Sequence, residues 1–303
     1  MLQDFKGKTG VITGAGSGFG LELARLLARE GMNLVLADVQ DEALNNAAEE
    51  IRALGVKVLA QKVDVSKAEQ VEALGRLTAE TFGAPNFVFN NAGVGFGGLI
   101  WEHSLKDWEW VIGVNLWGVA HGVRVFTPLM IEASKKDPSF QGHIVNTASM
   151  AGMLNAPNMG VYNVTKHAVV SLSETLYQDL RLVSDNVSCS VLCPYFVPTG
   201  IHQSHRNRPG ELREQTQPTQ SQIIAQMMST KAVTSGKVTA VEVAQMVVDA
   251  MRADRFYIFS HPQALGMVQT RLKDVMQQRN PTDPFASRPE LGEQLKAALR
   301  AAG

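Results

Sequence analysis

The sequence predicts an α/β fold, a doubly wound and mostly parallel sheet covered by helices on both faces within one domain. Two observations carry this. Short β-branched runs alternate with longer stretches of helical spacing through the first two-thirds of the chain, and a glycine-rich turn joins the first run to the first stretch. Parallel neighbours need a long crossover, usually a helix, so such alternation gives a sheet buried on both faces rather than two separate domains.

Strand-like runs fall at Thr9–Thr13, Asn33–Asp38, 57–63, Phe87–Asn90, 143–149 and Val187–Cys193, with a late one at 255–260. Between them apolar residues recur three or four apart, as at Leu23, Leu26 and Leu27 or at Leu44, Ala47, Ile51 and Leu54, which sets them on one helix face. The longest helical patterns, 107–133 and 159–182, carry more apolar surface than one sheet face can cover, so a homodimer or homotetramer is expected. Two segments break the rhythm. Residues 201–237 are polar and strand-free, with a helix expected near 221–230, and a connection this long reads as a lid. Beyond Ser260 a helix is expected over 261–278, followed by an irregular tail with Pro281, Pro284 and Pro289. The expected division is a sheet domain over 1–260, lid included, and a C-terminal extension over 261–303.

Composition narrows the class. The chain has 303 residues, 45% of them hydrophobic, enough for a sizeable core, and a formal net charge of -1. That balance lacks the basic footprint of a nucleic-acid binder, and no basic cluster restores it locally. No apolar run is long enough to span a membrane, and the N-terminus with Asp4, Lys6 and Lys8 reads as a lead-in to a first strand rather than a signal peptide, so a cytoplasmic location is expected. Cys189 and Cys193 lie four apart in one strand, about 13 Å between Cα atoms, too far for a disulfide. They should be reduced.

After the first strand the chain reads Thr13-Gly14-Ala15-Gly16-Ser17-Gly18-Phe19-Gly20 and passes directly into helix. Glycines here permit a tight turn and bring backbone N–H groups and the helix N-terminus against a diphosphate. Asp38 closes the second strand, where an acidic side chain accepts hydrogen bonds from both ribose hydroxyls of NAD and repels a 2′-phosphate. Positions where a basic residue would favour NADP hold Ser17 and Val39. NAD is therefore the expected cofactor.

The spacing of Gly14, Gly18 and Gly20, the run Asn90-Asn91-Ala92-Gly93 after the fourth strand, and the pair Tyr162-x-x-x-Lys166, in this order, resemble the short-chain dehydrogenase/reductase family over about residues 5–260. The resemblance implies a Rossmann-type fold and an oxidoreductase. It further implies that Gly14, Ser17, Gly18, Phe19 and Gly20 surround the diphosphate, that Asp64 and Val65 contact the adenine, and that Asn91, Ala92 and Gly93 shape the adenosine side. At the sixth-strand exit it adds Pro194, Val197 and Thr199, the last against the nicotinamide carboxamide. One departure stands out: Tyr195 follows Pro194, where the family usually has glycine.

Tyr162 and Lys166 are one helical turn apart and project from one face. A tyrosine near its ordinary pKa of about 10 is a poor base at neutrality, and lowering it by roughly 3 units takes about 4 kcal/mol. A positive charge about 4 Å away at an effective dielectric near 20 supplies about that much, so Lys166 and an oxidised nicotinamide are expected to bring Tyr162 down. By the family's pattern Ser149 orients the substrate oxygen, Asn115 supports a proton relay past Lys166, and Tyr162 and Lys166 also meet the nicotinamide ribose. Hydride transfer with Tyr162 exchanging the hydroxyl proton needs no metal, and the H-x-x-H of His202 and His205 has no third ligand in view.

The substrate wall is expected from sequence neighbours of the reacting residues: Phe96, Met150, Met153, Leu154, Met159, Tyr195 and Phe196. Nearly all are apolar, which suits a bulky, largely apolar secondary alcohol or ketone as the small-molecule partner. Arg206 and Arg208, in the polar lid, are expected to be solvated rather than to clamp a carboxylate. Two other readings are an NADP-dependent biosynthetic reductase, disfavoured by Asp38, and a dinucleotide-sensing protein without catalysis, disfavoured by intact Asn115, Ser149, Tyr162 and Lys166.

Overall fold

Seven strands form where the β-branched runs lie: β1 (Thr9–Thr13), β2 (Asn33–Asp38), β3 (Val58–Lys62), β4 (Phe87–Asn90), β5 (Gly142–Thr147), β6 (Val187–Cys193) and β7 (Tyr257–Phe259). They are seen in a computed structural model that describes residues 2–214 and 216–300. All pairs are parallel and the order is β3-β2-β1-β4-β5-β6-β7. The chain winds outward from β1 in one direction and from β4 in the other. The reversal between these strands opens a crevice at their carboxyl ends.

Helices fill the crossovers: α1 (Gly18–Arg29), α2 (Asp41–Arg52), α3 (Ala68–Phe82), α4 (Leu105–Ile112), α5 (Gly118–Lys136), α6 (Gly160–Val183), α7 (Gln220–Thr234), α8 (Ala240–Arg252), α9 (Leu265–Met276) and α10 (Pro289–Arg300). Strand residues alternate between two cores, as a period of two requires. Ile12, Leu34, Leu36 and Phe89 pack with α1, α2 and α8, and Val11, Val35, Val88 and Ile144 pack with α3, α5 and α6. Edge strand β3 is the least buried, and β7, expected over 255–260, shrinks to three paired residues because it has one neighbour only.

Three differences from the sequence expectation have physical causes. The pattern 107–133 is not one helix: a π-helical turn at Gly113–Trp117 separates α4 from α5 and lets Gly118 lie against Val65. The segment after Ser260 opens with a 3-10 turn, Pro262–Ala264, before α9. Pro289, read as part of an irregular tail, instead begins α10, since a first-turn residue needs no N–H partner. Residues 201–237 hold two 3-10 segments, Gly200–Asn207 and Gly210–Leu212, and α7, whose N-terminus is fixed by Thr219 accepting from Gln222 N. Among the described residues no helix is long and apolar enough to cross a membrane.

Candidate active site

The crevice is knotted by one hydroxyl. Thr13, the last residue of β1, accepts at Oγ1 from Asn91 N at 3.0 Å and Ala92 N at 3.1 Å, and Asn91 Nδ2 donates to Thr13 O at 3.0 Å. The exits of β1 and β4 are thereby held together, and Gly14 and Gly18 turn away from them with φ of 66° and 55°, a region that favours glycine. A Cβ at Gly20 would overlap the Gly14 carbonyl oxygen. Gly20 therefore stands behind the turn and sets how closely α1 approaches β1, while Gly14, Ser17, Gly18 and Phe19 line the cavity. Ser17 precedes α1 but makes no side-chain capping bond, so the first-turn N–H groups keep their capacity to bind an anion.

Asp38, at the end of β2, lines the same cavity. Its Oδ2 accepts from Gly16 N and its Oδ1 from Gln40 N, both at 2.9 Å, which fixes the carboxylate and leaves each oxygen a further lone pair. Exposed Val39 is next to it, and the cation on this side, Lys67, follows β3. Asp64 and Val65 also line it, with Asp64 Oδ1 held by Ser66 N and Oγ.

At the opposite end, β5 delivers Ser149 and α6 delivers Tyr162 and Lys166. Lys166 is 2% exposed and donates from Nζ to Thr147 O at 2.9 Å, with the nitrogen 5.7 Å from the centroid of the Tyr162 ring. Ser149 Oγ accepts from Ala151 N at 3.1 Å and makes a longer bond of 3.4 Å to Pro194 O. Gly93 lies beside this corner, where a Cβ would be in ordinary contact with Asn115 Oδ1 at 3.4 Å and Lys166 Nζ at 3.6 Å. Asn115, in the π-helical turn, is fully buried and does not line the cavity. Its Oδ1 accepts from Val94 N at 2.8 Å, and its Nδ2 donates to Val94 O at 2.9 Å and to Thr165 Oγ1 at 3.3 Å. It thus clamps the segment after β4 to α6 between Tyr162 and Lys166.

Burial dominates the charges here. It pushes the Tyr162 hydroxyl above its ordinary value, against an opposing hydrogen bond with Ser149, and it pulls Lys166 down to about 8. The sequence expectation joins Lys166 with an oxidised nicotinamide, and in the chain by itself the Tyr162 hydroxyl stays above its ordinary value. The ammonium is turned toward the Thr147 carbonyl and is itself costly to keep charged.

The cavity encloses about 2150 Å³. Phe96, Met150, Leu154, Met159, Pro194, Tyr195, Phe196, Val197 and Thr199 line it as the sequence suggested, with the Tyr195 and Phe196 rings 4.2 Å apart. Met153 does not; it packs below, against Val169 and Ala264 among its neighbours. Arg208 is not solvated either. Its guanidinium pairs with buried Asp107 at 2.6 Å and lies over Phe96 and Trp110. His202 Nδ1 is engaged with Thr199 O. Missed at the sequence level is the wall from the extension, Met267 and Arg271 of α9 and Leu291 and Leu295 of α10. The spacing of Leu291, Leu295 and Ala298 was the available signal.

The cost of Lys166 is measurable. Below about 8 it is charged in both folded and unfolded chains and the burial penalty is fully present. Between there and its ordinary 10.5 the unfolded chain holds more protons, so the penalty is relieved and stability rises with pH. In urea unfolding, the wild-type protein should gain on the order of 2 kcal/mol relative to Lys166→Met between about pH 8 and about pH 10. A difference that stays constant over this window would mean that the ammonium is not desolvated.

Comparison with known proteins agrees with this arrangement. The family model for short chain dehydrogenase matches residues 8–210. The chain is 31% identical over 278 residues to a CLA biosynthesis dehydrogenase/reductase of Lactiplantibacillus plantarum, covering 91% of this chain and 95% of that protein. It is 27% identical over its whole length to a C alpha-dehydrogenase of Sphingobium sp., covering 95% of it. A crystal structure of a short chain dehydrogenase/reductase from Burkholderia phymatum in complex with NAD superposes with a TM-score of 0.91 at 52% identity, covering 94% of this chain and all of that one. With the motif order, the sheet order and the match over two-thirds of its length in accord, the chain belongs to the short-chain dehydrogenase/reductase family of oxidoreductases.

Proposed function

We propose that the protein interconverts a bulky, largely apolar secondary alcohol and its ketone with NAD(H). The observation that carries this reading is that Ser149, Tyr162 and Lys166 line one end of a cavity whose other end is the glycine turn and Asp38. NAD as cofactor is supported by Asp38, whose fixed oxygens retain free lone pairs, and by the NAD complex of the Burkholderia phymatum relative. Gly14, Ser17, Gly18 and Phe19 would hold the diphosphate, with Gly20 permitting the close packing behind it. Asp38 would hold the ribose, Asp64, Val65 and Asn91–Gly93 the adenosine, and Pro194, Val197 and Thr199 the nicotinamide end. When bound, NAD supplies the carbon that accepts or donates hydride and, oxidised, a positive charge.

The chain's own residues handle the proton and the geometry. Ser149 Oγ holds the substrate oxygen, and Tyr162 takes up its proton during oxidation and returns it during reduction. Lys166 stabilises the phenolate while protonated and would hold the nicotinamide ribose. Asn115 supports the relay by fixing Val94 and Thr165 around this corner.

Residues 1–260 are read as the dehydrogenase domain, 201–237 as its lid and 261–303 as an extension that closes the substrate side. Free, buried Cys189 and Cys193 are consistent with a cytoplasmic location. A homodimer or homotetramer is supported by exposed apolar side chains on α4, in the π-helical turn and on α6, with Leu105 88%, Trp117 54% and Leu182 83% exposed.

Four measurements test this. Fluorescence titration should show NADH binding at least about tenfold tighter than NADPH, as loss of about 1.4 kcal/mol or more by like-charge repulsion at Asp38 requires, with the gap narrowed in Asp38→Ala. Equal affinities in the wild-type protein would remove the basis for NAD. Turnover of a bulky aryl secondary alcohol should exceed that of 2-propanol and of a small hydroxy acid in kcat/KM. Tyr162→Phe should keep NADH binding and lose about 10²- to 10⁴-fold in turnover. Preference for the hydroxy acid, or retained turnover in the variant, would refute the assignment. In light scattering at micromolar concentration, a monomeric mass would contradict the oligomer.

A further inference from the structure

The wall beyond residue 200 has two chemical characters. Near the reacting corner it is apolar, with Tyr195 and Phe196 joined by Met267 of α9 and Leu291 and Leu295 of α10. At its solvent edge it carries exposed Lys231 on α7, half-buried Arg271 on α9 and exposed Arg288 just ahead of α10. Among the described residues none of these three cations has an ion-pair partner, although the chain as a whole is balanced at a net charge of -1.

The acids on the same wall are already engaged. Asp274 accepts from Arg279 Nη2 at 2.7 Å and from Thr282 N at 2.9 Å, and Asp283 accepts from Phe285 N at 2.8 Å. These bonds also brace the segment that presents Arg288. Asp274 ties the end of α9 to residue 282, and Phe285 folds back onto α10 at Gly292, where a Cβ would stand 3.1 Å from Phe285 Cβ. Arg288 lines the same cavity as Tyr195, and its charge acts on the Tyr195 hydroxyl. Three cations without partners beside a continuous apolar surface make a receptor for an amphipathic molecule: apolar along its body, anionic at one end.

We propose that the site takes a secondary alcohol or ketone whose end remote from the reacting carbon bears a carboxylate or phosphate, held by Lys231, Arg271 and Arg288. The proposal rests on the alcohol dehydrogenase reading of this cavity and adds the class of substrate. The anion is far from the carbinol carbon, so this is a different preference from that for a small hydroxy acid.

The test uses one bulky apolar secondary alcohol made in three forms, with a terminal carboxylate, its methyl ester and a terminal phosphate monoester, each assayed with NAD and the wild-type protein. A charge-assisted contact contributes about 1.5–3 kcal/mol, so the carboxylate or the phosphate should exceed the ester at least about tenfold in kcat/KM. The advantage should shrink as salt is raised. Whichever anion gains more identifies the group recognised. In Arg271→Ala/Arg288→Ala the anion-over-ester ratio should fall toward unity, and in Arg288→Lys it should be largely kept, which separates charge recognition from damage to the wall. If the ester is oxidised as well as both anions by the wild-type protein, the proposal is overturned and the alcohol reading stands. If none of the three is oxidised although NADH binds, the alcohol reading fails and the proposal with it.

Discussion

The site depends on the reversal of winding between β1 and β4, and the Thr13 hydroxyl makes that reversal usable. Crossovers that leave in opposite directions open a crevice at the strand ends, but two diverging loops would ordinarily leave it loosely defined. By accepting from Asn91 N and Ala92 N, Thr13 Oγ1 fastens the second loop to the strand that launches the first. The glycine turn, the 91–93 segment and, through Asn115 and Val94, the middle of α6 become parts of one framework. Cofactor end and chemical end are thus positioned by the buried side chains of Thr13 and Asn115, which are fixed by their bonds to the backbone of the neighbouring segments, and such preorganisation is what catalysis requires.

Within that framework the reacting corner is expensive. Burial holds Tyr162 up and Lys166 down, so each group is driven toward its neutral form. A neutral phenol beside a weakly held ammonium is a poor base. Poor bases of this kind are sensitive to one added positive charge, because the low-dielectric surroundings that oppose ionisation also strengthen Coulomb attraction. In the proposed reaction, proton chemistry at Tyr162 would therefore be coupled to cofactor charge, with the phenolate favoured by the oxidised cofactor. The stability lost at Lys166 is offset by the two cores on either side of the sheet.

Much of this was legible in the sequence because the relevant constraints are local. Glycines at 14 and 18 adopt positive φ, and Tyr162 and Lys166 share a helix face by spacing alone. The doubly wound, parallel sheet followed from alternation, whereas the strand order did not, and the apolar wall was sought among neighbours of the reacting residues. What escaped reading depends on contacts between distant segments. The π-helical turn that splits 107–133 is needed to bring Gly118 against Val65, across more than fifty residues of sequence. Met153 has the same character as Met150, and only its packing against Val169 and Ala264 takes it off the cavity. Arg208 sits in a polar stretch that suggests solvation, yet its partners Asp107 and Phe96 come from α4 and the loop before it.

That last contact explains how a polar lid keeps a defined shape. Asp107 caps α4 through Ser104, receives Arg208 from the first half of the lid and Gln222 from its second half, and lies 4.0 Å from His103. Desolvating an ion pair is costly, so a bond of this kind adds little to net stability when compared with apolar packing. It does add direction, since a buried guanidinium with one carboxylate partner and two aromatic faces has few alternative seats. The segment proposed as a lid is therefore held by a specific polar anchor, while Ile201, Leu212, Ile224 and Met228 within it line the cavity. The family match ends at residue 210, shortly after this anchor, and the wall from α7, α9 and α10 lies beyond it. The reacting residues and the wall residues Phe96, Met150, Leu154, Met159, Tyr195 and Phe196 share the matched stretch, and the later stretch adds the lining from α7, α9 and α10 and braces the entry to α6, where Asn158 Nδ2 donates to Ser221 O at 3.0 Å.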